Sequence, residues 1–150
     1  MPDHSSLLQK LKILLTNQSL CVLSTQDEGH PYANLVAFAV TEDLKNIVFA
    51  TTRDTRKYNN LMREPHVAVL INNSTNSPRD FQDAMAATAL GFAEKLADER
   101  REKYLKLYIE KHPHLSDFVQ APNSAIFSIQ VTRYFFVSQF QQAAELDMTQ

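Results

Sequence analysis

Thr51-Thr52-Arg53-Asp54-Thr55-Arg56-Lys57-Tyr58-Asn59-Asn60-Leu61 is the stretch on which the reading of this chain turns. It joins an apolar run, 47–52 (IVFATT), which reads as a strand, to a short helix over 55–63 whose apolar stripe is Tyr58, Leu61 and Met62. Glu64-Pro65 ends that helix, because the residue before a proline avoids the helical region. Arg53, Arg56 and Lys57 therefore cluster at a helix N-terminus. The macrodipole already places positive charge there, so each cation is misplaced by about 0.3–1 kcal/mol. The first turn also leaves backbone N–H groups without acceptors. A bound phosphate answers both problems, since it carries about -1.5 to -2 charge near neutral pH and accepts charge-assisted hydrogen bonds. Thr51, Thr52 and Thr55 add hydroxyls. The plain alternative is a solvated basic turn, with Thr55 capping the helix and Asp54 pairing with an arginine, a cheap arrangement in water.

On the N-terminal side, 5–15 places Leu7, Leu8, Leu11, Leu14 and Leu15 at helical spacing behind Ser5 or Ser6 as cap. Residues 19–25 (SLCVLST) and 31–41 (PYANLVAFAVT) read as strands of a hairpin turning at Asp27-Glu28-Gly29-His30, where Gly29 is free to take positive φ. The polar turn Glu42-Asp43-Leu44-Lys45-Asn46 leads into the strand at 47–52. On the C-terminal side, 66–72 (HVAVLIN) is a fourth strand, 73–79 a polar loop and 84–96 a fifth strand. A helix over 98–111 follows, opened by Asp98 and Glu99, closed by Lys111 and His112, with Tyr104, Leu107 and Tyr108 as its buried side. A last long strand or bent strand pair occupies 124–139, and the tail after Phe140 reads as frayed. Six strands joined largely by tight turns predict a mainly β (α+β) fold: a six-stranded antiparallel Greek-key barrel with flanking helices, in one domain over 1–150.

The net charge is -2, which gives no basic field for nucleic acid. The N-terminal segment lacks the apolar run of a membrane span or a signal peptide. One cysteine, Cys21, excludes a disulfide framework and fits a cytoplasmic protein. With only Gly29 and Gly91 in the chain, no glycine-rich phosphate loop can be built. Any anion is held by another device.

The stretch from Leu20 to Asn73 resembles the pyridoxamine 5'-phosphate oxidase-like, FMN-binding split-barrel family. The likeness rests on the hairpin VLSTQDEGHPYANLVAF, the strand end FATT, the triplet Thr55-Arg56-Lys57 and the tail NNLMREPHVAVLI. The resemblance implies that Thr55, Arg56 and Lys57 grip a flavin phosphate, and that Thr51, Thr52 and the strand segment Asn34, Leu35, Val36 and Ala37 line the flavin. Backbone amides around Val36 and Ala37 would face the ring, with Asn34 and Thr51 giving side-chain hydrogen bonds. It also implies a homodimer with FMN at the interface and a small-molecule electron donor or acceptor. Tyr134, Phe135, Phe136, Phe140 and Asn72-Asn73-Ser74 are candidates for the partner's share. Some relatives hold haem or a deazaflavin instead, and a non-catalytic flavin-binding stress or sensor module is a further alternative.

The departures are specific. The oxidase proper carries an arginine and a lysine where this chain has Asn34 and Ala39. Its C-terminal arginine motif has no match in VTRYFFVSQFQQAAEL, and its glutamine is absent near Met85 and Ala86. The resemblance thus carries the flavin site and not the vitamin substrate, which leaves an FMN-dependent oxidoreductase of unknown substrate. Among other residues, His112 and His114 flank Pro113 as a helix-end turn. His66 is the axial ligand that a haem protein would use, and otherwise a surface histidine. Cys21 reads as a small core hydrophobe.

Overall fold

The structure is a computed structural model and describes residues 3–138 and 142–150. Its elements are α1 (His4–Asn17), β1 (Leu20–Asp27), β2 (His30–Val40), β3 (Asn46–Thr52), α2 (Arg56–Arg63), β4 (His66–Asn72), α3 (Asp80–Asp83), β5 (Met85–Lys95), α4 (Asp98–Lys111), a 3-10 turn at Pro113–Leu115, α5 (Ser116–Gln120), β6 (Ser124–Ser138) and β7 (Gln142–Asp147). The strands run in the order β3-β2-β1-β4-β5-β6-β7, and β3 also pairs with β6, so the first six strands close on themselves. Every pairing is antiparallel.

The β1–β2 hairpin turns in two residues, Glu28 at φ 50° and Gly29 at φ 83°, the signature that matches the twist of the flanking strands. The other glycine serves a different need. At the irregularity between Leu90 and Gly91 the β5–β6 register shifts, and a Cβ on Gly91 would lie 2.2 Å from the Gln130 carbonyl oxygen. Backbone cannot yield to that, so only glycine fits.

Alternation along the strands sorts side chains into two cores. Leu23, Phe38, Ile47, Phe49, Val69, Ile71, Phe127, Ile129 and Tyr134 fill the barrel, with Phe49 and Phe127 stacked at 5.4 Å. Leu7, Leu11, Leu14 and Leu15 of α1 join that core, and Leu61 of α2 joins it too. The opposite face of β2, β3 and β6 packs through Ala39, Val48, Ala50 and Ile126 against Tyr108 of α4 and Val119 of α5.

Four expectations change. The cap of α1 is Asp3, whose carboxylate accepts from Ser6 N at 2.8 Å. Met62 is 54% exposed while Asn60 is buried, so the inward face of α2 is Tyr58, Asn60 and Leu61. The C-terminal tail is ordered as β7, which pairs with the half of β6 that β3 leaves uncovered. Tyr134 and Phe136 sit in the barrel core, the Tyr134 hydroxyl donating to Leu44 O at 2.8 Å, so neither side chain can reach a partner. Phe140 lies outside the described residues.

Candidate functional site

The barrel is split between β2 and β3. Their pairing covers only Phe38↔Phe49, Ala39↔Val48 and Val40↔Ile47, whereas β2 starts at His30 and β3 continues to Thr52. Beyond Phe49 the two strands follow different partners: β2 stays on β1, and β3 stays on β6 as far as Thr52↔Ser124. Phe38 N donates to Ser19 O on the β1 side and Thr41 N to Asn46 O on the β3 side. Strand alternation therefore turns the peptide groups of Leu35 and Ala33 into the split, with Ala37 at its apex. The peptide groups of Asn34 and Val36 face β1. This shifts the expected amide from Val36 to Leu35, whose side chain is also 63% exposed.

At the wide end of the split stands α2. Its N-cap Thr55 accepts from Tyr58 N at 3.2 Å and donates its hydroxyl to Thr52 O at 2.9 Å. The Thr51 hydroxyl lies 2.9 Å from that of Thr55 and is buried. These threonines therefore bond to each other and to the backbone, and they rigidify the turn. The groups left open are the N–H groups of Arg56 and Lys57 in the first turn, together with the cationic side chains.

The capping half of the solvated-turn alternative holds, and its charge-pairing half does not. Among the described residues, none of Arg53, Arg56 and Lys57 forms an ion pair, and Asp54 pairs with none of them. Burial without a partner pushes the Lys57 ammonium below its ordinary range. The Arg56 guanidinium stands 5.6 Å over the Tyr32 ring, which ties the start of α2 to the start of β2. The helix is anchored at its other turns by Asn60 Nδ2 donating to Thr25 Oγ1 at 3.0 Å, a buried contact, and by Arg63 with Asp27 at 3.3 Å. A rigid helix thus presents a surplus of positive charge at one end of the barrel.

Asn34 lies at that same end, opposite Leu23 and two residues from Tyr32. Its Oδ1 is buried and has no hydrogen-bond partner, the sole such side-chain atom among the described residues. An unpartnered ammonium and an orphaned acceptor are what a ligand with a phosphate at one end and an N–H-bearing ring at the other would satisfy. The chain's own groups fit FMN on both counts.

The remaining expected residues are placed as follows. The Asn72 carboxamide accepts from Ser74 N at 3.0 Å and that of Asn73 from Met85 N at 2.7 Å, so both close their own loop. His112 is buried with Nε2 2.7 Å from Phe38 O, and burial lowers its pKa. Cys21 is buried and its thiol is pushed up to about 12, so it is inert. His66 is exposed, with Nδ1 2.7 Å from Glu64 Oε1. Among the described residues no group of three or more His, Cys, Asp or Glu side chains could hold a metal ion. No described helix is long and apolar enough to cross a membrane. The orphaned Asn34 oxygen and the split were not visible to sequence reading; the alternation of 31–41 was the one available signal.

A family profile described as pyridoxamine 5'-phosphate oxidase matches residues 7–138. No curated protein matches the sequence. Among solved structures, a haem-binding protein of Mycobacterium smegmatis is 14% identical with a TM-score of 0.85, over 98% of this chain and 59% of that one. This chain thus spans little more than half of that relative. A haem-storage protein of Vibrio cholerae is 17% identical with a TM-score of 0.72, over 82% and 88% of the two chains. An FAD-binding protein of Mesorhizobium loti is 15% identical with a TM-score of 0.71, over 86% and 90%. At these identities the likeness is one of fold, and the ligand named is haem for two of the three proteins and FAD for the other.

Proposed function

The chain belongs to the pyridoxamine 5'-phosphate oxidase family, and from that premise we propose that it is an FMN-binding flavoprotein, an oxidoreductase whose substrate is not the oxidase's vitamin. The observation that carries this reading is the set of cations without a carboxylate partner at the N-terminus of α2. Arg56, Lys57 and the first-turn N–H groups hold the phosphate, and Arg53 adds to the field. Thr51, Thr52 and Thr55 fix the turn that presents them. Asn34, Leu35, Val36 and Ala37 line the ring along the split, with Leu35 offering its peptide group. Bound flavin supplies the redox chemistry, and the protein positions and tunes it. Asn34 and Ala39 stand where the oxidase has an arginine and a lysine, which is why the vitamin substrate does not carry over. The protein works as a homodimer with FMN at the interface.

Titration with FMN, followed by flavin fluorescence, tests the site. We expect one saturable site per chain, with riboflavin, which lacks the phosphate, binding on the order of a hundredfold more weakly, the value of a charge-assisted contact or two. Equal affinity for both flavins would sink the cradle. Anaerobic NADH or NADPH separates enzyme from sensor: bleaching of the bound flavin marks an oxidoreductase, and an unchanged spectrum a passive binder. A light-scattering mass of one chain would remove the homodimer.

His66 supports a second reading, a haem-binding barrel. Glu64 Oε1 accepts from both the His66 backbone N–H at 3.1 Å and the ring at Nδ1. That arrangement fixes the tautomer and leaves Nε2 bare, as when a carboxylate orients a metal-ligating histidine through its other ring nitrogen. The haem ligands of two structural neighbours agree with it. Haemin titration should then give a Soret band that His66→Ala abolishes; an identical spectrum in that variant removes this reading.

A further inference from the structure

Strand β2 carries its inward side chains at even positions, since Val36 and Phe38 are buried in the barrel core. Asn34 continues that row toward the α2 end, where Tyr32, Thr25 and Asn60 surround the barrel mouth. Its neighbours are satisfied: the Thr25 hydroxyl accepts from Asn60, and the Thr51 hydroxyl bonds within its turn. Asn34 Oδ1 is not. A buried acceptor without a donor is destabilising, and native proteins leave few of them unless a ligand or water completes the bond. The missing partner must be a donor. A phosphate is an acceptor and cannot fill the role.

We propose that Asn34 reads the ring end of the ligand, its Oδ1 accepting the imide N–H at position 3 of an isoalloxazine, so that the residue sets selectivity for ring systems carrying that proton. This deepens the flavin reading and rests on it. The cradle at α2 selects the phosphate; Asn34 selects the heterocycle. The placement follows the strand: Arg56 reaches Tyr32 at 5.6 Å, and Asn34 lies one further inward step along β2, about 7 Å on. A ligand gripped at Arg56 and Lys57 and laid along the split therefore brings its far end to Asn34. The role is specific to this chain, because an arginine at this position would offer donors and no acceptor.

The test compares FMN with 3-methyl-FMN, in which that N–H is replaced, on the native protein and on Asn34→Leu, which keeps the bulk and removes the acceptor. The native protein should prefer FMN by about tenfold to a hundredfold, and Asn34→Leu should reduce the preference to within about threefold. In [15N]FMN bound to native protein the N3 resonance should show a hydrogen-bonded shift that Asn34→Leu removes. Without flavin, Asn34→Leu should be at least as heat-stable as the native protein, because it deletes an orphaned acceptor, and this verifies folding. Equal binding of both flavins by the native protein, or an N3 resonance unchanged in Asn34→Leu, overturns the proposal and leaves a bridging water as the partner. Absence of any FMN binding would instead overturn the flavin reading on which it stands.

Discussion

Lys57 and Lys111 are both half-buried, and burial drives both ammonium groups below their ordinary range, Lys111 to about 8. Their surroundings differ. Lys111 donates to Leu15 O at 3.1 Å, at the C-terminal end of α1 where carbonyls lack partners, and its Nζ sits 3.9 Å over the Phe38 ring. It fastens α4 to α1 and to the barrel, and nothing further is needed to explain it. Lys57 has no acceptor or anion among the described residues, and it shares its turn with two arginines in the same condition. In one case the fold supplies an acceptor and a ring face that meet part of the desolvation cost. In the other, no such group stands among the described residues, as the proposed phosphate site requires. Burial alone does not distinguish the two lysines; the presence of a partner does.

The comparison breaks most decisively at the cradle. In Arg56→Ala/Lys57→Ala, FMN affinity should fall by about a hundredfold to ten-thousandfold, the loss of two charge-assisted contacts at about 1.5–3 kcal/mol each. The melting temperature without FMN should fall only slightly, since neither side chain has an ion pair to lose and Arg56 gives up only its exposed contact over the Tyr32 ring. Equilibrium dialysis against FMN and a thermal melt measure the two quantities. An unchanged affinity would mean that Lys57 is an ordinary surface lysine and that the contrast with Lys111 is empty.

How much of this was legible in the sequence follows from what each signal depends on. The β1–β2 hairpin, β3, α2 and β4 were readable because Gly29 and Pro65 punctuate them and because apolar alternation has period two. The cation cluster at the start of α2 was readable because Arg56 and Lys57 contradict the helix dipole, a conflict that exists before any tertiary contact. Met62 was misread because Asn60, bonded to the Thr25 hydroxyl, takes the inward place beside Leu61 and leaves the methionine outside. The β7 strand was missed because its pairing is set by where β3 stops on β6, a fact of register and not of local composition. For the same reason the split, and the turning of Leu35 rather than Val36 into it, could not be read: alternation gives two faces, and only the neighbouring strands say which edge is open.

A smaller effect sharpens the contrast without flavin. Inorganic phosphate should raise the melting temperature of the native protein by a few degrees at concentrations well above its dissociation constant, since a ligand that binds only the folded state stabilises it. The gain should vanish in Arg56→Ala/Lys57→Ala and persist in Lys111→Met. Chloride at equal ionic strength separates specific binding from screening. Equal stabilisation of all three proteins would mean that phosphate acts as a general salt.

The smallest expected effect belongs to Lys111 and lies in the pH dependence of stability. In the unfolded chain this ammonium keeps its proton up to about 10.5, whereas in the fold it gives it up near 8. Between those values the unfolded state binds more protons, so stability rises with pH, and below 8 the full penalty of burying the charge is present. Cys21 acts in the opposite sense higher up. Its thiol ionises at 9.0 when unfolded and near 12 when folded, so above pH 9 unfolding releases a proton and stability falls. The Lys111 contribution is therefore cleanest between pH 8 and 9. Urea unfolding across that interval should show a modest rise for the native protein and a smaller one for Lys111→Met, which keeps the apolar stem over Phe38 without a titrating end and leaves Lys57 to titrate. Partial exposure of the ammonium keeps the rise small. A rise of equal slope in Lys111→Met would assign the titration elsewhere and undo the view of Lys111 as the self-satisfied member of the pair.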